Sequence, residues 1–176
     1  DKPFTLTLAQ ARELAALAQA RGRLLSVFHN RRWDGDFLTL RALVERGELG
    51  RIVHLESAFD RYRPVVRDRW RESAEPGAGL WFDLGPHLLD QALQLFGTPQ
   101  AIALDQAVLR DGGRCDDWFQ ARLRYPGRRV VLRASMLAAA PALVACSSAL
   151  PPEAVAAWQA PAAPAPMRTP FRLTMI

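Results

Sequence analysis

Asp83, His87 and Asp90 stand at i, i+4 and i+7 in the run Gly77-Ala78-Gly79-Leu80-Trp81-Phe82-Asp83-Leu84-Gly85-Pro86-His87-Leu88-Leu89-Asp90. In a helix this spacing puts all three on one face and leaves Leu84, Leu88, Leu89 and Leu95 for the core on the other. A histidine one turn from a carboxylate near a helix N-terminus holds an oriented imidazole. It can pass a proton to or from a hydroxyl at neutral pH. Asp83 is placed to cap such a helix, and Pro86 is tolerated in its first turn. The spacing alone admits an equally good structural reading, in which Asp83 only caps and His87 only fills a half-buried position. A metal site is not expected: no third soft ligand is near in sequence, and Cys115 and Cys146 have no Cys or His at metal spacing.

Two other groups of residues could join this chemistry. His29, Asn30, Arg31, Arg32 and Trp33 form a polar cluster after the apolar run 24–28, and ligands bind at the carboxyl ends of strands in open α/β sheets. Arg61, Arg63, Arg67, Arg69 and Arg71 alternate along an extended stretch, interleaved with Asp60, Asp68 and Glu72. The formal net charge is +5, but interleaving of this kind describes a solvated or substrate-facing strip better than a nucleic-acid surface. Lys2 is the one lysine among 23 basic residues, which singles it out either as a functional ammonium or as a surviving surface residue.

The elements that must carry these residues follow from periodicity. At 176 residues, 49% hydrophobic and 23% charged, the chain has the composition of a globular domain. Thr7 precedes apolar positions at helical spacing, and Gly22 stops that helix. Residues 24–28 suit a short buried strand, 36–46 a second helix closed by Gly47 and Gly50, and 52–59 a strand. A turn-rich loop over 72–79 leads to a helix over 83–96, ended by Gly97 with Pro99 beyond. Strands are expected over 101–109, 118–125 and 129–137, the last two joined by Pro126-Gly127 into a hairpin. The fold class is α+β, ending in a mostly antiparallel sheet with a helix on one face. Phe119, Leu123, Val131 and Leu132 are expected among the apolar positions of its outer face, where they would support a dimer.

Seven of the 13 prolines lie in the last 36 residues, and at that density proline removes ladder donors and blocks helix interiors. Residues 139–176 are therefore expected to be irregular, with an Ala/Pro composition that a shifted reading frame would also produce. The longest apolar runs fall short of the ~20 residues that span a bilayer, and no cationic start leads into an apolar stretch. The expected protein is cytoplasmic, without membrane or nucleic-acid partners.

Asp1-Lys2-Pro3 resembles the Glu-Lys-Pro motif of the Gfo/Idh/MocA oxidoreductases, and residues 77–90 resemble that family's Gly-Gly-x-x-x-Asp-x-Gly-x-His-x-x-Asp motif. The ordered pair, with Asn30, Arg31 and Arg32 between, makes residues 1–138 similar to the family. Residues 29–40 look most like the branch containing NADP-dependent scyllo-inositol dehydrogenases. The resemblance implies a remnant of a Rossmann-type dinucleotide-binding domain over 1–30, then a substrate and oligomerisation domain over 31–138 whose open sheet floors the active site. It implies that Lys2 is the catalytic lysine between nicotinamide and substrate, with Pro3 also against the cofactor. Asp83 and His87 would bind substrate hydroxyls, His87 accepting the proton as hydride leaves, and Asn30, Arg31 and Asp90 would contact substrate. A lysine there lowers the pKa of a neighbouring acid and steadies alkoxide charge.

The implied activity is NAD- or NADP-dependent oxidation of a sugar or polyol hydroxyl, in a homo-oligomer joined through the sheet. The sequence departs from the family in Asp1, which replaces glutamate, and in having no Gly-x-Gly-x-x-Gly. Without phosphate-cradling glycines, dinucleotide binding by this polypeptide is expected to be weak or absent, as for a fragment lacking the preceding half. Residues 1–28, short of sheet neighbours, are expected to be the least stable. Two other functions compete: a non-catalytic oligomerisation or binding module retaining only the sheet, and a hydrolase or isomerase using the Asp83/His87 pair without a dinucleotide.

Overall fold

Proline-free stretches with apolar residues at every second position become strands here, and they assemble around one long helix. The computed structural model describes residues 2–138 and 171–175. Its strands are β1 (Ile52–Asp60), β2 (Ala101–Ala107), β3 (Trp118–Tyr125), β4 (Arg128–Ser135) and β5 (Phe171–Met175), and its helices are α1 (Leu8–Ala20), α2 (Gly35–Glu45) and α3 (Leu80–Phe96). They form one sheet of order β2-β3-β4-β1-β5. Only β1 and β4 run parallel, and the other three pairings are antiparallel. The expected α+β class and mostly antiparallel sheet are what the chain adopts. Between β3 and β4, Gly127 takes φ +65°, a conformation open to glycine after the φ-locked Pro126.

Alternation decides which face of the sheet is dry. Phe119, Ala121, Leu123 and Tyr125 of β3 and Val130, Leu132 and Ala134 of β4 are all buried, and they meet Leu80, Leu84, Leu88 and Ala92, which recur every fourth residue along α3. Trp81 packs edge-on against Phe119, ring centroids 5.1 Å apart. At the other end of the helix the Tyr125 hydroxyl donates to the Gly97 carbonyl at 3.0 Å. The expected apolar outer face is corrected accordingly. Phe119, Leu123 and Leu132 point at the helix, and Val131, adjacent to Leu132 in the same strand, necessarily takes the opposite face.

Three further expectations change. The helix α1 forms with Thr7 and Gln10 in a reciprocal capping box, yet none of its residues is buried. The strand expected over 24–28 does not form, leaving Leu24 95% and Phe28 71% exposed. A strand needs a hydrogen-bonded neighbour, and among the described residues none pairs with this segment. At the other end, residues 171–175, free of proline directly after Pro170, pair antiparallel with β1 as an edge strand; the irregular tail expected there gives way to β5. The remainder of that stretch, with Asp1 and Cys146, lies outside the described residues.

The start of α3 is also displaced, and the cause lies far away in sequence. Leu80 N–H donates to the Asp116 carbonyl at 2.8 Å and Trp81 N–H to Asp116 Oδ2 at 2.6 Å. Asp116, from the connection between β2 and β3, thus satisfies the first helical N–H groups. Asp83 sits inside the first turn instead of capping it, and Pro86 falls one turn further in. Gly79 permits the approach: its φ is +97°, and a Cβ there would stand 2.0 Å from the Asp116 carboxylate.

The same connection anchors the arginine strip. Arg110, its side chain 2% exposed, pairs with Glu72 Oε2 and with Asp117 Oδ2, each at 3.0 Å. It also donates to the Arg63 carbonyl at 3.2 Å. Glu72 accepts in addition from the Arg67 N–H and the Arg69 guanidinium. No helix among the described residues is long and apolar enough to cross a membrane. Substituting Arg110→Met would leave the buried Asp117 without its cation and Glu72 with Arg69 alone, so a loss of about 3–5 kcal/mol of unfolding free energy is expected by urea denaturation. A loss below about 1 kcal/mol, the scale of an exposed ion pair, would show that the cluster does not hold the strip.

Candidate active site

Asp83 is where the chain's beginning, its arginine strip and its long helix meet. Its Oδ1 accepts from Arg71 Nε at 3.1 Å and lies 3.6 Å from Lys2 Nζ. Lys2 also donates to the Asp83 carbonyl, next to the Phe82 carbonyl whose helical donor Pro86 cannot supply. Arg71 is fixed on several sides. Its guanidinium lies 4.4 Å from the centre of the Trp70 ring, and its carbonyl accepts from Gly79 N–H at 2.9 Å and from Cys115 Sγ at 3.5 Å. A cavity of about 130 Å³ opens beside these groups, lined by Lys2, Pro3, Trp70, Phe82 and Asp83 among others.

His87 follows one helical turn after Asp83. It is 6% exposed, and its Nδ1 is a buried polar atom with no hydrogen-bond partner among the described residues. Burial pushes its pKa down to about 4, and the charges of Lys2 and Arg31 push the same way against the opposing pull of Asp83. The imidazole is therefore neutral across the physiological range and able to accept a proton. Burial also holds the Lys2 ammonium below its ordinary value, with Asp83 opposing and Arg71 and Arg31 adding to the shift.

The other sequence candidates divide. Arg31, in the single 3₁₀ turn Asn30–Trp33, pairs with Asp34 at 2.8 Å and lies over the Phe59 ring at 5.3 Å. It is near enough to weigh on both Lys2 and His87. Asn30 is exposed. Asp90 is buried, and Arg32 grips both its oxygens, at 2.6 and 2.7 Å. It therefore ties the 3₁₀ turn to α3, on the same helix face as His87 but already engaged. Sequence reading passed over Arg71 and Asp116 as site residues. The alternating arginines carried a signal for Arg71, whereas nothing local marks Asp116. Among the described residues no group of three His, Cys, Asp or Glu stands where it could hold a metal ion.

The remaining question is whether these residues suit a nicotinamide. A flat ring with an amide would have Pro3, Trp70 and Phe82 as an apolar wall and Lys2 and Asp83 as polar neighbours, while the unpartnered Nδ1 of His87 suits a hydroxyl. The residues fit that end of a dinucleotide.

The GFO/IDH/MocA C-terminal domain model matches residues 37–148, more than half of the sequence. The chain belongs to the GFO/IDH/MocA family. Its relatives include the uncharacterized oxidoreductase YdgJ of Escherichia coli (strain K12), 62% identical over 140 residues, covering 80% of this chain and 40% of YdgJ. Another is scyllo-inositol 2-dehydrogenase (NADP(+)) IolW of Bacillus subtilis (strain 168), 40% identical over 132 residues, covering 75% of this chain and 37% of IolW. Among solved structures, the YPO2259 protein of Yersinia pestis superposes with a TM-score of 0.73 at 60% identity, over 80% of this chain and 39% of that one. An NAD-binding protein from Listeria innocua superposes with a TM-score of 0.71 at 28% identity, over 77% and 39%. The chain thus spans about 40% of the length of the curated relatives it matches.

The His87 environment has a measurable consequence for stability. Folded, the imidazole takes its proton at about pH 4; unfolded, at about 6.5. Between those values the unfolded state binds more protons, so stability rises with pH through the window and falls on acidification, by at most about 3 kcal/mol. Replacing His87 by Asn should flatten that part of the pH dependence in urea unfolding, and the His87 ring signal of the parent should stay in its neutral form in NMR down to about pH 5. A signal titrating near the ordinary value would contradict the burial and charge described.

Proposed function

We propose that this chain supplies the substrate-binding half of a nicotinamide-dependent oxidoreductase that oxidises a hydroxyl of a sugar or polyol. The observation that carries the reading is the buried, neutral His87, its Nδ1 free of partners among the described residues, one turn from an Asp83 flanked by two cations. Hydroxyl oxidation removes a hydride from carbon and a proton from oxygen. The nicotinamide, when bound, supplies the hydride acceptor; the remaining tasks fall to side chains. Asp83 accepts a hydrogen bond from a substrate hydroxyl and orients the carbon beside the apolar wall. Lys2 places a cation where alkoxide charge develops. His87 takes the hydroxyl proton at Nδ1, a role that needs the imidazole neutral beforehand.

The relatives support this assignment in kind. IolW is a scyllo-inositol 2-dehydrogenase (NADP(+)) and the Listeria innocua protein is NAD-binding; either nicotinamide cofactor suits the residues present. Among the described residues no helix covers the sheet face turned away from α3, and we assign to it the contacts of a homo-oligomer.

A chimera tests the assignment: this chain fused behind the part of Escherichia coli YdgJ that it does not match. With NAD⁺ or NADP⁺ and a panel of polyols that includes scyllo-inositol, turnover is expected. Lys2→Met and His87→Asn should each lower kcat by about 10²–10⁴-fold, with the cofactor KM little changed in His87→Asn. A chimera that turns over polyols equally well with His87→Asn would remove His87 from the reaction.

A further inference from the structure

Resting on the reading of Lys2 as the cation that meets developing alkoxide charge, we propose that Arg71 is a positioning residue: it occupies Asp83 Oδ1 and so holds the Lys2 ammonium out of a closed ion pair with that carboxylate. Both cations address the same oxygen. Arg71 Nε donates to Asp83 Oδ1 at 3.1 Å, whereas Lys2 Nζ stands 3.6 Å from it, beyond hydrogen-bond reach, and donates to the Asp83 carbonyl. The side chains are 10% exposed for Lys2, 19% for Asp83 and 29% for Arg71, so their attraction is screened far less than on an open surface. A lysine closed onto the carboxylate there would have its charge answered by the protein instead of by the substrate oxygen.

The surroundings of Arg71 fit it for this task. It is the middle residue of the single 3₁₀ turn Trp70–Glu72. The buried Glu72 is gripped by Arg110 at 3.0 Å, and the Arg71 carbonyl accepts from Gly79 N–H at 2.9 Å and from Cys115 Sγ at 3.5 Å. The main chain is thus held on both sides. The guanidinium lies over the Trp70 ring, 4.4 Å from its centre, while Nε reaches Asp83. A lysine could not do both, since an ammonium is a point of charge with no flat face to stack and no fixed N–H edge to present. Arg71 and Asp83 line the same cavity as Lys2 and Trp70, so the contact is made where a substrate would enter. The charges around Lys2 agree: burial lowers its pKa most, Asp83 opposes, and Arg71 and Arg31 add to the lowering, with the neutral His87 one turn from Asp83. Removing Arg71 raises the Lys2 pKa by two routes, loss of a like charge and closure of the ammonium onto Asp83. Only the second passes through Asp83.

The chain's single lysine makes that route measurable in the full chain, without cofactor or substrate. Selective carbon-13 labelling of lysine gives one Cε signal, and its titration by NMR reports the Lys2 pKa. The parent, Arg71→Met, Asp83→Asn and the double variant form a cycle. Arg71→Met is expected to raise the Lys2 pKa by about 0.5 pH unit or more, and in the Asp83→Asn background by less than about half as much. An equal rise in both backgrounds, or none in the parent, would overturn the proposal, because Arg71 would then act only as a distant like charge or as a structural tie. Unfolding midpoints will show which variants fold. Where Arg71→Met does not, Arg71→Lys takes its place, its added signal recognised by its absence from the parent; a smaller rise is expected, and no rise counts against the proposal. In the YdgJ chimera Arg71→Met should lower kcat about tenfold or more, with Arg71→Lys retaining part of the rate, and an unchanged kcat would also overturn the assignment. The two readings separate: His87-dependent turnover with an additive cycle sinks only the Arg71 assignment. A coupled cycle without His87-dependent turnover supports the placement of Arg71 and sinks only the oxidoreductase reading.

Discussion

The connection between β2 and β3 holds the site together, although it contributes no group to the cavity. Asp116 receives the first N–H groups of α3, and the adjacent Asp117 receives Arg110, which in turn grips Glu72. Two consecutive aspartates thus set both the origin of the helix that carries Asp83 and His87 and the course of the strip that carries Arg71. If α3 began four residues later, as a cap at Asp83 would require, Asp83 would be spent on the helix's own N–H groups. It could not then receive Arg71 and Lys2. A buried ion cluster is weak evidence for net stability, because desolvation offsets much of the attraction. Its value here is positional: charges that cannot be left unpaired fix one arrangement of two loops.

Local pattern carried most of the fold. The helix α2, the hairpin of β3 and β4, the strand β1 and the C-terminal end of α3 all declare themselves in period, turn residues and stop signals, and each forms within a few residues of where the sequence places it. Two of the failures share one physical cause. Whether 24–28 becomes a strand depends on a hydrogen-bonded neighbour, and whether Asp83 caps depends on a competing aspartate more than thirty residues away. Neither fact is encoded in the segment itself. The strand at 171–175 is hidden for another reason: the proline density of the whole tail masks it, while pairing needs only five donors in a row free of proline.

The site was legible to a similar depth. Residue type and spacing singled out Lys2, Asp83 and His87; Lys2 and Asp83 line one cavity, and His87 follows Asp83 by one turn of α3. They also placed Asp90 on the same helix face, correctly as geometry. Spacing cannot reveal that an arginine from another segment already holds both Asp90 oxygens. Asn30, adjacent in sequence to Arg31, ends on the surface because a 3₁₀ turn rotates successive residues by about a third of a circle. Arg71 was visible only as one of five alternating arginines, and alternation alone could not say which of them meets an acid.

The electrostatics of the cleft explain why its members must be read as a set. A histidine among cations loses its proton, a buried lysine beside an aspartate keeps a reduced hold on its own, and the aspartate is shared between lysine and arginine. Such a group resists positive charge and has room for negative charge. That excludes a role for His87 as a resident acid at neutral pH, since its proton would have to enter against Lys2 and Arg31. It favours any step in which a bound hydroxyl gives up a proton and the residual oxygen becomes electron-rich, which is the polarity of oxidation by hydride loss. The bias is set by burial as much as by charge: exposed to water, the same residues would be screened to near their ordinary behaviour. The burial of His87 is therefore part of the chemistry proposed for it.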